Sequence, residues 1–220
     1  MQIHNLSDDP SVLNSFMFEL RSVGIQNDRM RFRKNIERIG EILSYEMSRS
    51  LDYTPKTAQT PLGTKTVALA SADIVICSIL RAGLPLHLGI LNYFDKAENA
   101  FISAYRKHDE QDPSQFEIIV EYIACPDLNN KILLIVDPML ASGRSIKLAY
   151  DALKPFGSPK QVHVLGVIGA KEGVDFISSN LPDNSHLWIG DIDDDLNSNA
   201  YIVPGLGDAG DLAYGTKLKQ

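Results

Sequence analysis

The stretch Ile132-Leu133-Leu134-Ile135-Val136-Asp137-Pro138-Met139-Leu140-Ala141-Ser142-Gly143-Arg144-Ser145 decides how this chain reads. Five consecutive apolar, β-favouring residues mark Ile132 to Val136 as a central strand buried on both faces, the habit of parallel sheets. A loop of small residues follows, Asp137 to Ser145, and then a helix expected from Ile146 to Leu153, stopped by Pro155 and Gly157. A strand, a tight loop and a helix N-terminus make an anion site. N–H groups of the first helical turn lack partners within the helix, and the positive end of the dipole faces the ligand. The hydroxyls of Ser142 and Ser145 can add hydrogen bonds. Taken alone, the same residues also describe an ordinary capped helix. No Lys follows the glycine at P-loop spacing, and no GxGxxG follows an expected strand.

Upstream of this stretch, Ile74 to Leu80 is another buried strand, ending in Arg81-Ala82-Gly83 before a helix from Pro85 to Tyr93. Ala100 to Tyr105 is a strand followed by Arg106, and Phe116 to Ile123 alternates as an edge strand or hairpin does. Downstream, Val162 to Ile168 and Trp188 to Ile192 are further strands. The first fifty residues are helical. One helix is expected near Ser11 to Ser22. A second, from Arg29 to Ser50, shows one apolar face at Met30, Phe32, Ile36, Ile39, Leu43 and Met47, with Asn27 or Asp28 as its cap. Pro55, Pro61 and Gly63 break the pattern before a short strand at Thr64 to Ala70. Buried strands alternating with helices predict an α/β fold with a mainly parallel central sheet flanked by helices. In such sheets ligands sit beyond the carboxyl ends of the strands. Arg81 to Gly83, Arg106 and Asp137 to Ser145 all follow expected strands and are therefore expected to converge.

The 220 residues suit a single domain spanning 1–220, with no repeat and no linker. The net charge of −7 argues against nucleic acid and anionic membrane as partners. It leaves room for a small polyanion, which needs only local positive groups. Two cysteines, Cys77 and Cys125, make neither a disulfide framework nor a metal cage, so a reducing cytoplasm is expected. Met1 to Pro10 lacks the pattern of a signal peptide, and no apolar run approaches bilayer length. The run Asp191, Asp193, Asp194 and Asp195 reads as a solvated acidic turn.

Asp137-Pro138-Met139-Leu140-Ala141-Ser142-Gly143-Arg144-Ser145 resembles the PRPP (5-phosphoribosyl 1-diphosphate) loop of type I phosphoribosyltransferases, in the form carried by the uracil phosphoribosyltransferase family. Ile79-Leu80-Arg81-Ala82-Gly83-Leu84 resembles that family's pyrophosphate loop. Tyr201-Ile202-Val203-Pro204-Gly205-Leu206-Gly207-Asp208-Ala209-Gly210-Asp211 resembles its uracil segment. All three stand in the family's order across nearly the whole chain. Two positions depart from the pattern: Ser142, where the family usually has Thr, and Arg144, where it usually has Gly.

The resemblance implies a sheet topped by a small hood of terminal segments and a β-hairpin flap. It implies transfer of the phosphoribosyl group of PRPP to uracil, giving UMP and pyrophosphate. Residues 137–145 (Asp137, Pro138, Met139, Leu140, Ala141, Ser142, Gly143, Arg144 and Ser145) would hold PRPP, the 5′-phosphate on Ala141 to Ser145 and the ribose hydroxyls near Asp137. Arg81 and Arg106 would bind the diphosphate, since guanidinium forks match phosphate oxygens. Ile202, Gly207 and Ala209 would contact uracil, and Asp208 would contact PRPP or its metal and help remove the N1 proton. Lys107 and His108 would belong to the flap, through Gln115. Mg²⁺ would be carried by PRPP and not by a protein cage. A homodimer or larger homo-oligomer is implied, and GTP activates some members. Three other readings are weighed: a phosphoribosyltransferase for another base, a non-catalytic PRPP- or nucleotide-sensing regulator on the same fold, and a degenerate homologue that binds uracil or a nucleotide without turnover.

Overall fold

The computed structural model describes residues 1–108 and 116–217, with side chains described outside 104–120. The strands are β1 (Gln2–Asn5), β2 (Tyr53–Thr60), β3 (Gly63–Ala70), β4 (Ile74–Leu80), β5 (Glu98–His108), β6 (Phe116–Ala124), β7 (Ile132–Val136), β8 (Met139–Leu140), β9 (Gln161–Ala170), β10 (His186–Asp193), β11 (Asp195–Leu196) and β12 (Ile202–Val203). The helices are α1 (Leu13–Arg21), α2 (Arg29–Ser48), α3 (Gly83–Leu91), α4 (Arg144–Leu153), α5 (Lys171–Asn180) and α6 (Ala209–Tyr214). No helix among the described residues is long and apolar enough to cross a membrane.

The main sheet runs β1-β10-β9-β7-β4-β5-β6, with β8 added beside β9. Every pairing is parallel except β5 with β6. The all-apolar runs take the middle, where both faces are covered. Alternate residues of β7 serve different cores: Ile132, Leu134 and Val136 pack with α1, α2 and α3, while Leu133 and Ile135 pack with α4 and α5. The result is three layers, helices on both faces of one sheet.

Helix α2 forms where expected, capped by the Asp28 side chain, which accepts from Arg31 N at 3.0 Å. Its apolar face is Phe32, Ile36, Ile39, Leu43 and Met47. Met30 does not belong to it and is exposed, because the first helical turn extends past the core. Helix α5 and strand β1 were not anticipated. The first has only Val174 and Ile177 as fully buried large apolar anchors, and the second is four residues on the sheet edge.

Pro55 was read as a breaker, yet it lies within β2, opposite Ala68 of β3. These two strands form a separate ribbon, and a proline is tolerated where its missing N–H would face away from the partner. Every residue of the ribbon is exposed, including Tyr53, Val67 and Leu69.

Candidate active site

The chain leaves β4 for β5 on one side and leaves β7 for β9 on the other. Strand order therefore reverses between β4 and β7, and loops that diverge at such a point leave a crevice beyond the carboxyl ends. The two loops meet there. A Cβ on Gly83 would lie 2.6 Å from Ser78 Oγ and 2.8 Å from Val136 O, so only glycine lets the β4–α3 loop pass so close to β7. The Leu80–Arg81 peptide is cis.

After β7, Asp137 turns the chain. Its Oδ1 accepts from Met139 N at 3.2 Å, and its own N–H donates to Leu165 O. The carboxylate thus shapes the loop as a turn residue. Pro138 is buried, and its carbonyl accepts from Val167 and Ile168. Met139 and Leu140 are not loop, as expected, but the strand β8 against β9. Helix α4 begins two residues before the expected Ile146, and its cap is Gly143, not a serine. Gly143 has φ 74°, and a Cβ there would lie 2.9 Å from Gly173 O, so both conformation and room require glycine. The first rung of the helix is Lys147 N to Gly143 O at 3.1 Å. The N–H groups of Arg144, Ser145 and Ile146 precede it and have no acceptor within the helix, the geometry that an anion-binding turn requires. Ala141, Ser142 and Ser145 are half-buried around this turn, and Arg144 is exposed.

The C-terminal segment folds over these loops. Asp208 caps α6, its Oδ1 accepting from Asp211 N at 2.9 Å. Ala209 N donates to Met139 Sδ at 3.4 Å, tying the segment to the loop after β7. Arg81 reaches it from the other loop, donating to Asp211 Oδ1 and Gly215 O, each at 3.2 Å. The Arg81 guanidinium therefore already faces a carboxylate where a diphosphate was expected. Gly207 is exposed and Asp208 half-buried, whereas the side chains of Ile202 and Ala209 pack in the core. What those two can offer a base is main chain. A hollow of about 300 Å³ beside this segment is lined by Gln26, Asn27, Arg29, Gly207, Asp208 and Asp211, among others.

Arg106 lies within β5, not after it, opposite Ile118 of β6. It stands beyond Ser103, the last residue of β5 paired with β4, and so on the same end of the sheet as the two loops. Its side chain, and those of Lys107 and His108, lie outside the described ones, as do residues 109–115 of the expected flap.

The acidic run is the clearest departure from expectation. Asp191 and Asp193 lie on one face of β10, and Asp193 is only 8% exposed. Arg21, the last residue of α1, donates to Asp191 Oδ2 at 2.6 Å, to Asp193 Oδ1 and Oδ2 at 2.8 Å, and to Gly205 O at 2.9 Å. Burial pulls the Arg21 guanidinium down, but the hydrogen bonds it donates to the two aspartates outweigh this and hold it above its usual value. Only Asp194 and Asp195 of the run are exposed, Asp194 at a bend where it pairs with Lys171, and Asp195 opening β11 opposite Val203. The signal was present in the i, i+2 spacing of Asp191 and Asp193, which puts both on one side of a strand.

A family profile described as uracil phosphoribosyltransferase matches residues 8–216. The uracil phosphoribosyltransferase of Porphyromonas gingivalis is 51% identical over 218 residues, covering 99% of this chain and 100% of the relative. That of Methanococcus maripaludis is 34% identical, covering 99% and 91%. Among solved structures, the AQ2163 protein of Aquifex aeolicus superposes with a TM-score of 0.84 at 30% identity, covering 99% of this chain and 100% of that one.

Proposed function

The chain belongs to the uracil phosphoribosyltransferase family, and from that premise we infer how its residues 1–220, as one domain, carry the family's reaction. It is a pentosyltransferase of pyrimidine salvage: uracil and PRPP give UMP and pyrophosphate. The observation that carries the reading is the meeting of three segments at one reversal of strand order, with Met139 bonded to Ala209 and Arg81 bonded to Asp211.

In the reaction the bond from ribose C1 to the diphosphate oxygen breaks, and a bond from C1 to uracil N1 forms. Charge grows on the departing diphosphate, so fixed cations there lower the barrier. Arg81 and Arg106 fill that role, with Arg81 exchanging Asp211 for phosphate oxygens when PRPP arrives. Single pairs still partly open to water, such as Arg81 with Asp211, are weak, of the order of 1 kcal/mol, so the exchange costs little. The N–H groups opening α4 hold the 5′-phosphate, with Ser142 and Ser145 adding hydroxyls. Arg144, exposed beside them, adds a cation at the rim. Asp137 takes the ribose hydroxyls. The main chain around Ile202, Gly207 and Ala209 reads the two carbonyls and N3–H of uracil. Asp208 accepts the N1 proton through the oxygen that does not cap α6.

Among the described residues no group of three His, Cys, Asp or Glu side chains is arranged to hold a metal. The carboxylates of Asp137 and Asp208 would face an ion through its bound waters, a setting that suits Mg²⁺ arriving on the diphosphate with most of its ligands already in place. When bound, that ion neutralises the leaving group. The exposed β2–β3 ribbon fits a homo-oligomer, since a lone two-stranded ribbon is marginal in water. A cytoplasmic setting fits the two free thiols, Cys77 and Cys125.

The test is a product assay. The protein is given PRPP and Mg²⁺ with uracil, cytosine, orotate, adenine or hypoxanthine separately, and with and without GTP. UMP from uracil alone is the expected result. Turnover of another base overturns the assignment. Binding of PRPP with no nucleotide from any base points to the regulator reading, and RNA is tried next.

A further inference from the structure

We propose that Arg21, on a helix outside the three motif segments, is a positioning residue for base recognition, acting with Asp193 through Gly205. The proposal rests on the reading of residues 202–209 as the uracil segment.

Gly205 is held at both of its backbone groups. Its carbonyl accepts from Arg21 Nη1 at 2.9 Å, and its N–H donates to Asp193 Oδ2 at 2.8 Å. The same Arg21 nitrogen lies 2.8 Å from that same Asp193 oxygen. Arginine, aspartate and the Gly205 peptide therefore form one closed ring of charge-assisted hydrogen bonds. Asp191 fixes the far side of the guanidinium at 2.6 Å. One residue on, Leu206 O accepts from Gln26 Nε2 at 3.1 Å, and Gln26 also holds Leu20 O. The corner between α1 and α2 thus grips two consecutive peptides.

Those peptides directly precede Gly207 and Asp208, whose main chain and carboxylate meet substrate in the proposed site. Gly205 and Gly207 have φ of 61° and 94°. Glycines in that region have many alternatives, and the segment needs outside restraint to keep one. A planar base read by main-chain groups tolerates little displacement, because hydrogen bonds weaken steeply with distance and angle. None of the atoms of this ring belongs to the PRPP loop or to the β4–α3 loop. Its loss should therefore fall on uracil and spare PRPP.

The experiment compares wild type, Arg21→Met and the double variant Arg21→Met/Asp193→Leu, all full length. In Arg21→Met the KM for uracil is expected to rise by about tenfold or more, with the KM for PRPP within about twofold. Its melting temperature should also fall, because Asp193 is left buried without its partner. The double variant removes that stranded charge. Its melting temperature should recover while the uracil KM stays high, since Gly205 still lacks both partners. A KM for PRPP that rises equally, or a uracil KM that recovers together with melting, overturns the proposal and leaves Arg21 a purely structural residue. If Arg21→Met fails to fold, Arg21→Lys, which keeps charge but loses the fork, is read for the same split between the two KM values. Hydrogen exchange of the wild type with UMP separates the two layers of the argument. Absence of protection at 202–209 sinks the uracil-segment reading itself. Protection there, with an unchanged uracil KM in the Arg21 variant, sinks the positioning role alone.

Discussion

Asp208 shows how one side chain serves fold and chemistry at once. One carboxylate oxygen caps α6, and the other is assigned the N1 proton. Asn caps a helix about as well as Asp but cannot take up a proton. Asp208→Asn is therefore expected to keep its melting temperature while kcat falls about 100-fold or more, within the range general bases contribute. Equal wild-type turnover would remove Asp208 from the mechanism. Arg106 divides the two substrates differently. Losing its charged hydrogen bonds to the diphosphate should weaken PRPP about 10- to 100-fold in Arg106→Ala, and uracil far less. Calorimetry with each substrate measures this, and equal weakening of both would deny Arg106 the diphosphate. Which residues belong to the three motifs was legible in the sequence. The pairing of Arg81 with Asp211 was not, because 130 residues separate them and no local pattern reports that distance.

At the scale of elements, helix crossing sets what the apolar stripe cannot. Helices α2 and α3 pass so closely that a Cβ on Gly89 would lie 2.0 Å from Glu37 O, and one on Gly40 would lie 2.6 Å from Leu86 O. Backbone atoms cannot move aside as a side-chain tip can. Gly89→Ala should destabilise the fold by about 2 kcal/mol or more, lowering the melting temperature by several degrees in calorimetry. An unchanged melting temperature would mean the helices separate at little cost. Periodicity found α2 to within two residues of its end, since six apolar positions repeat along it. It missed β2, whose proline breaks the usual strand signature, and α5, whose apolar face is short. It also mistook the exposed Met30 for core, because a stripe does not say where the neighbouring surface ends.

For the whole molecule, pH should act through histidines at the end of the sheet opposite the site. His163 and His186 are paired across β9 and β10, and His4 stacks on Trp188 from β1. Trp188 Nε1 donates to His163 Nδ1 at 3.0 Å, so that nitrogen must be unprotonated. Burial first, and then the neighbouring His186 and His4, push His163 down to about 3. Burial also lowers His4 and His186, helped by His186 in the first case and by the chain's N-terminal amine in the second. Each folded value lies below the unfolded one near 6.5. Stability is then full above that pH and declines as the unfolded state takes up protons the folded state refuses. His163 alone contributes a loss of about 1.4 kcal/mol per pH unit between roughly 6.5 and 3. Melting temperatures from pH 7.5 to 5 should fall, and His163→Gln, which keeps an acceptor for Trp188, should flatten the curve. The same slope in that variant would clear His163 of the effect.

The sequence by itself determined the central strands, the turn of small residues between β7 and α4, the three ordered motifs and with them the family. Each is a run of neighbours whose backbone preferences and polarity are read locally. Tertiary structure alone decided that Asp191 and Asp193 leave the acidic turn to clamp Arg21, 170 and 172 residues away, and that the clamp closes on Gly205. It also decided which face of the C-terminal segment stays open to a ligand. Those outcomes depend on which distant surfaces meet when the sheet is assembled. A charge buried beside its partner has the same local sequence as a charge in water, so only the packed chain tells the two apart.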